Sequence, residues 1–107
     1  MIKHLKECIQ FSPDKLKKIN LFETEHFFCD IYCLKPGQQQ KSHEHTREDK
    51  IYFVLKGHGT AQLGDTTHPI QEGDCIFAQR QVLHGIQNET CDELILLVFM
   101  APNPNKK

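Results

Sequence analysis

The 107-residue chain is long enough for one domain with one hydrophobic core. Its formal net charge of −1 argues against an electrostatic grip on nucleic acid or on an anionic membrane. The longest apolar run, Leu94 to Pro102, is far shorter than the roughly 20 residues that span a bilayer. We therefore expect a single domain over residues 1–107 that binds neither nucleic acid nor membranes.

The termini and the cysteines predict a cytoplasmic protein. The first residues contain no apolar stretch followed by a small-residue cleavage site, so no signal peptide is expected. The five cysteines are odd in number and include no Cys-x-x-Cys pair, which favours reduced thiols over a disulfide framework. We expect most of them, Cys75 and Cys91 included, to be small core residues.

The first half of the chain carries one helix signal and two strand signals. Ser12-Pro13 is typical of a helix start, so Asp14–Ile19 is predicted to form one short helical turn. Phe27–Leu34 is rich in aromatic and branched residues and predicts a strand. Ile51–Leu55 is a second short apolar run, and Gly57 stops it.

The second half predicts a hairpin and two further strands. Thr60–Leu63 and Thr66–Ile70 flank Gly64-Asp65, a turn typical of β-hairpins. Cys75–Ala78 and Leu94–Met100 follow as strands. Short strands at roughly 8–12-residue spacing indicate an all-β sandwich or small barrel, here over residues 20–101. Residues 102–107 are predicted to be a solvated tail.

The last strand predicts a homodimer. Leu94–Met100 shows no polar alternation, so we expect both of its faces to be buried. Because one small barrel has a wet outside, a second subunit is expected to cover the outer face, together with the Phe27-Phe28 stretch.

Three histidines form the strongest functional pattern. His43 and His45 are separated by one residue, which places both on the same face of an extended strand. His84 follows at a distance along the chain, behind a Gly-Asp turn, and can join the pair if the strands bring it opposite. Neutral imidazoles arranged in this way are good ligands for Fe, Mn, Ni, Cu or Zn. The alternative is three polar groups at a wet barrel mouth with no metal.

These residues resemble the two motifs of the cupin superfamily, over roughly Leu34 to Met100. The matching positions are Gly37, His43, His45 and Gly57 in the first motif, and Gly73, His84 and Asn88 in the second. The resemblance implies a single cupin-type double-stranded β-helix, or jelly-roll barrel, with a short N-terminal extension. It also implies a divalent transition metal held by His43, His45 and His84.

The chain departs from the family at two places. Counted back from Gly57, the glutamate that binds metal in the family falls on Lys50. Counted forward from the histidine pair, it falls on Asp49, which is the candidate fourth ligand; Glu48 is the alternative by strand parity. In the second motif, Gln79 and Gln81 replace the family's Pro and Gly, so the shape of that loop is open.

Lys50 has two possible orientations. If the strand keeps the family's parity, its ammonium enters the barrel mouth with Tyr52, while Phe53 packs outside. In that position it keeps the histidines neutral and favours an anionic ligand, such as a carboxylate. The alternative is that Lys50 extends from the strand end to solvent.

The other polar residues near the motifs have simpler interpretations. Gln38–Gln40 is expected to be a polar loop, and Gln79–Gln81 could meet a ligand carboxylate. His58 and His68 are expected at the surface, and His4 and His26 carry no motif.

The pattern predicts a metal-binding protein that holds a small-molecule ligand in its barrel, with metal-dependent, oxygenase-like activity as one outcome. A non-catalytic ligand-binding or sensor module is the alternative, and whether the chain is an enzyme stays open. A metal-independent sugar epimerase or isomerase fits less well, because such cupins tend to use a His-Asp base with a Tyr acid. Fold alone does not decide among these.

Overall fold

The computed structural model describes residues 1–105. Within that range the chain forms one short helix and nine strands: α1 Leu5–Cys8, β1 Lys17–Thr24, β2 Phe27–Leu34, β3 Gln39–His43, β4 Asp49–Lys56, β5 His58–Leu63, β6 Thr66–Gln71, β7 Cys75–Ala78, β8 His84–Gln87 and β9 Leu94–Ala101. No helix in the described range is long and apolar enough to cross a membrane.

The strands form two antiparallel sheets that enclose one core. The five-stranded sheet has the order β1-β2-β9-β4-β7, and the four-stranded sheet has the order β3-β8-β5-β6. Apolar side chains from both sheets fill the space between them, among them Leu34, Val54, Ile86, Leu96 and Val98. The predicted all-β jelly-roll barrel is therefore confirmed.

Alternation along β4 decides which side chains reach the interior. Lys50, Tyr52 and Val54 point inward and are fully buried, whereas Ile51 and Phe53 point outward. Tyr52 is 0% exposed and Phe53 is 38% exposed, so the expected split between these neighbours is confirmed. The same parity carries Lys50 into the barrel.

The outer face of the five-stranded sheet is covered in part by the chain's own N-terminal segment. Buried residues of this face pack against that segment in a second apolar cluster, which includes Leu5, Cys8, Ile9, Phe11, Leu21, Ile31, Cys33 and Ile95. Residues 5–11 of the same chain, rather than a second subunit, thus cover the outer face of the sheet at Ile95. Farther along β9, Phe99 is 41% exposed within one chain, so burial of both faces of Leu94–Met100 stays a prediction at that position, where it depends on a second subunit.

The predicted helical turn at Asp14–Ile19 was also wrong. Lys17–Thr24 is strand β1, which pairs antiparallel with β2 along its whole length. The backbone hydrogen bonds offered by the apolar strand Phe27–Leu34 outweigh the local Ser-Pro signal. A short helix does form, earlier, at Leu5–Cys8.

Two cysteines lie at the surface, contrary to expectation. Cys75 is exposed because it lies on the outward face of β7, and Cys91 is exposed in the turn between β8 and β9. Cys33 is buried as predicted. All five thiols are free.

The C-terminal tail is anchored where we expected it to be solvated. Asn103 is buried, and its amide donates hydrogen bonds to the Glu23 carboxylate and to the Thr24 carbonyl oxygen. These bonds hold the tail against the β1–β2 turn and bring Pro104 and Asn105 to the barrel mouth. The rest of the predicted tail, Lys106 and Lys107, lies outside the described residues.

Candidate metal centre

The structure brings together the three histidines that the sequence singled out. His43 ends β3 and His84 begins β8, and the two are cross-strand partners in that antiparallel pair. His45 follows two residues after β3. Ligand atoms of the three side chains all lie within 4.8 Å of one another, a spacing at which one metal ion can bind all three.

Each imidazole is held through its Nδ1 atom. His43 Nδ1 lies 2.8 Å from the Lys41 carbonyl oxygen, and His84 Nδ1 lies 3.0 Å from that of Val82. Because a carbonyl oxygen only accepts hydrogen bonds, these partners assign the proton to Nδ1 and leave a lone pair on Nε2. His45 Nδ1 lies 3.4 Å from a Glu48 carboxylate oxygen, which favours the same tautomer.

The free ring nitrogens fit a metal ion. Nε2 of His45 and Nε2 of His84 are buried and have no hydrogen-bond partner within residues 1–105. A buried acceptor without a partner loses free energy, and a bound cation removes that loss. Histidines that bind metals characteristically donate their other ring N–H to a carbonyl or carboxylate, as His43 and His84 do here, and His45 Nδ1 lies beside a carboxylate.

Electrostatics keeps the three rings neutral at pH 7. Burial is the main cause that lowers the pKa of each histidine, and the charge of Lys50 lowers all three further. The effect is largest at His84, whose pKa falls from 6.5 to about 4. Neutral imidazole is the form that binds metals, so no proton has to leave before an ion binds.

Lys50 points into the barrel beside the histidines. Its side chain is 1% exposed, and Nζ lies 5.1 Å from the ring centre of Tyr32 and 5.0 Å from that of Tyr52. Burial, followed by the charge of Lys18, lowers its pKa from 10.5 to about 7. No hydrogen bond or ion pair within residues 1–105 holds the ammonium. The inward alternative for Lys50 is thus the observed one.

The carboxylates expected near the metal lie elsewhere. Asp49 points outward from β4, one residue before inward-facing Lys50, and forms an ion pair with Arg80 at 2.8 Å. The Arg80 backbone N–H also donates to this carboxylate, and the two contacts lower its pKa. The structure therefore does not bring Asp49 into the histidine group. Glu48 contacts the Nδ1 side of His45, away from Nε2, so it orients that ring.

The loop before His84 is tied to the histidine pair. The backbone N–H of Gln81 donates to the His45 carbonyl oxygen at 2.6 Å. Gln81 adopts a φ of 67°, in the left-handed region that glycine tolerates best. Arg80, next to it, is occupied by Asp49. The loop thus holds the histidine pair in place through a backbone hydrogen bond. The side chain of Arg80 is already paired with Asp49.

Gln40 is a buried residue of the site that the sequence analysis missed. We expected a polar loop at Gln38–Gln40, but Gln40 lies on β3 with 6% of its surface exposed. Its side-chain oxygen accepts a hydrogen bond from the Tyr52 hydroxyl at 2.5 Å. Strict alternation of side chains along β3 from His43 does not predict that Gln40 faces the interior, because a shift in the β3–β8 register lies between the two residues.

A cavity of about 320 Å³ opens at the barrel mouth beside the histidines. Polar and charged groups from both sheets line most of it: Lys18, Asn20, Glu23, Asp30, Tyr32, Gln40, His43, His45 and Lys50. The remaining surface histidines, at positions 4, 26, 58 and 68, are exposed and lie outside this group.

The chain is similar to known proteins in sequence, in fold or in both. A family model described as "Cupin domain" matches residues 30–100. The structure of TT1209 from Thermus thermophilus is 38% identical with a TM-score of 0.93, covering 96% of this chain and 98% of that one. An RmlC-like cupin protein from Desulfovibrio desulfuricans is 28% identical with a TM-score of 0.83, covering 95% and 97%. Protein SchB from Streptomyces halstedii is 28% identical over 82 residues, which are 73% of this chain and 59% of SchB.

Proposed function

This chain belongs to the cupin family, and we propose that it binds one divalent transition-metal ion through His43, His45 and His84. The ion would be Fe, Mn, Ni, Cu or Zn, all of which accept imidazole ligands. The observation that carries this proposal is the pair of buried Nε2 atoms without hydrogen-bond partners among residues 1–105. Such an ion would supply Lewis-acid or O2 chemistry, since three protein ligands leave coordination positions open.

We further propose that the cavity holds a small anionic molecule beside the metal. The three imidazoles are neutral ligands, so they leave the charge of a divalent ion uncompensated. Lys50 adds a cationic group to the same cavity; it contacts the Tyr32 and Tyr52 rings but has no hydrogen-bond or ion-pair partner among residues 1–105. Both charges favour an anion, and a carboxylate could contact the metal and Lys50 Nζ together.

An enzyme and a non-catalytic binding protein would both use this site, so a measurement of turnover distinguishes the two hypotheses. Metal-dependent conversion of a bound carboxylate would identify an enzyme, and consumption of O2 in that conversion would identify the oxygenase-like activity. Tight binding without conversion would identify a sensor or binding module. The sugar epimerase alternative is disfavoured by Tyr52, whose hydroxyl is buried, bonded to Gln40 and raised in pKa by burial. We propose a cytoplasmic location, since five free thiols persist best in a reducing compartment.

His84→Ala tests the metal site. Untagged wild-type protein should gain thermal stability when Zn²⁺, Ni²⁺, Co²⁺ or Mn²⁺ is added, by about 2.7 kcal/mol at a free-metal concentration 100 times the Kd. The variant should lose this gain, and His68→Ala, which changes an exposed histidine, should keep it. An equal gain in wild type and His84→Ala would reject the site.

Lys50→Glu tests the role of the buried cation. The substitution replaces a repelling charge with a carboxylate at the family's ligand position, so metal affinity should rise at least tenfold, or about 1.4 kcal/mol. Binding of small carboxylates should weaken at the same time. Lys56→Glu, at an exposed position of the same strand, is the control and should change neither property.

A further inference from the structure

Strands β1 and β2 form a second polar wall of the cavity, separate from the histidines. Asn20 on β1 and Asp30 on β2 are cross-strand partners, and both line the cavity. The Asn20 side-chain amide donates to Asp30 Oδ1 at 2.8 Å. Asp30 is therefore fixed in place, with its carboxylate turned toward the space that Lys50 also lines.

The second oxygen of Asp30 is available to a ligand. No hydrogen bond to Oδ2 forms within residues 1–105, although the residue is partly buried. The residue is only partly exposed, and this burial is the main cause that raises the pKa of the Asp30 carboxyl. A partly desolvated carboxylate oxygen binds a donor more strongly than one in open water.

Asp30 and Lys50 give the cavity two ends of opposite charge. Burial is the main cause of the pKa shift of each group, and the charge of Lys18, which also lines the cavity, acts on both more strongly than they act on each other. Asp30 and Lys50 do not form an ion pair with each other. A ligand can therefore enter between them and pair with both. The complement of this arrangement is a molecule with an anionic end for Lys50 and a donor end for Asp30.

We propose that the cavity takes a bifunctional carboxylate, whose carboxylate binds beside Lys50 and the three histidines and whose hydroxyl or ammonium group donates to Asp30. This inference rests on the proposed function, because it uses the same cavity and the same metal. A plain aliphatic carboxylate would leave Asp30 desolvated without a donor. A dicarboxylate would bring a second negative charge against Asp30.

Calorimetric titration of the zinc-loaded protein with a series of simple probes tests this. The probes are straight-chain carboxylates of three to six carbons that end in a methyl, hydroxyl, ammonium or second carboxylate group. At the chain length that binds best, the hydroxyl-ended or ammonium-ended probe should bind at least tenfold more tightly than the methyl-ended one. The dicarboxylate should bind most weakly.

Two substitutions of Asp30 identify which donor the site prefers. Asp30→Asn keeps the shape, and its one oxygen still accepts from Asn20, so its NH2 group faces the ligand. A hydroxyl can accept from this NH2 and an ammonium cannot, so the substitution should weaken the ammonium-ended probe at least tenfold and largely spare the hydroxyl-ended one. Asp30→Ala should bring both down to the affinity of the methyl-ended probe. Asp65→Asn, at an exposed turn position, is the control and should change none of the affinities.

The possible failures are distinguishable. Equal affinity for the methyl, hydroxyl and ammonium ends, or probe binding that Asp30→Ala leaves unchanged, would overturn the role of Asp30 and leave the metal and Lys50 proposals standing. Failure of every carboxylate to bind the zinc-loaded protein would overturn both this inference and the proposed anion site.

Discussion

His43 and His84 are directly opposite each other on β3 and β8, with ring centres 4.5 Å apart. The close approach of these strands depends on Gly85. A Cβ at that position would lie 2.8 Å from Ser42 Oγ and 2.9 Å from the Gln40 carbonyl oxygen, closer than real Cβ atoms come to their neighbours. The histidine cluster therefore depends on a glycine that is not itself a ligand.

Gly85→Ala should separate the two strands and weaken metal binding. Since the backbone oxygen of Gln40 cannot move without β3, we expect His43 to shift away from His84 and metal affinity to fall at least tenfold, about 1.4 kcal/mol. Metal titration measures this, and circular dichroism confirms that the variant folds. Gln87→Ala, an exposed position of the same strand, should keep wild-type affinity; unchanged affinity in Gly85→Ala would contradict the account.

The metal-free protein should lose stability as the pH falls from about 6.5 to about 4. The pKa of His84 is about 4 in the folded chain and 6.5 in its ordinary state, so in this window the unfolded chain binds a proton that the folded chain excludes. The slope is at most about 1.4 kcal/mol per pH unit for one proton. Urea unfolding in the presence of a chelator measures it.

His84→Gln should remove that part of the slope, because glutamine does not titrate. The comparison separates His84 from His43 and His45, whose pKa values are also lowered, mainly by burial. Identical pH dependence in wild type and variant would show that His84 is not the group responsible.

Gln81→Gly should stabilise the protein by about 1 kcal/mol, because a residue with a Cβ is strained at positive φ. Gln81 has a φ of 67°, and the cupin motif has glycine at this position. Thermal unfolding measures the gain. Gln79→Gly, a neighbouring position without a positive φ, is the matched control and should destabilise, since there glycine adds only unfolded-state freedom. A loss of stability in Gln81→Gly would contradict the prediction.

The outer face of the five-stranded sheet should form a homodimer. Four apolar side chains on β4, β7 and β9 are 38% to 55% exposed: Ile51, Phe53, Phe77 and Phe99. They are neighbours in the strand register, and the part of β4 from Ile51 to Phe53 carries no charged side chain, so the patch can pack against its own copy around a two-fold axis.

Light scattering at micromolar concentration should give twice the 12.4 kDa mass of the chain. Phe77→Lys should give a monomer, because it places a charge within the apolar patch at its most exposed side chain, while His68→Lys at an exposed position outside the patch should remain dimeric. A wild-type mass of 12.4 kDa would reject the dimer.

The histidine site could be predicted because its signal is local. The His43-x-His45 spacing predicted that the two side chains lie together, and they do, although β3 ends at His43 and His45 lies beyond the strand. The position of His84 within the second motif places it on a facing strand. The apolar strands, such as Phe27–Leu34, were equally readable from their branched and aromatic residues.

The strands that the sequence did not predict, β1 and β3, form because of the neighbouring strands with which they pair. β3, Gln39–His43, contains no apolar residue, so nothing in its own sequence indicates a strand; its pairing with β8 decides it. β1 is similar, since both of its ends are polar or charged and β2 supplies its hydrogen bonds. The Asp49 ligand assignment depended on register, because a shift of one residue along a strand exchanges the inside for the outside. The structure turns Lys50 inward and Asp49 outward to Arg80.

The most direct test of the central claim is elemental analysis of untagged protein after incubation with transition metals and removal of the excess. The account predicts about one equivalent of metal per chain in the wild type, with a clear loss in His84→Ala and full occupancy in His68→Ala. Wild-type protein that retains no transition metal under these conditions would contradict it.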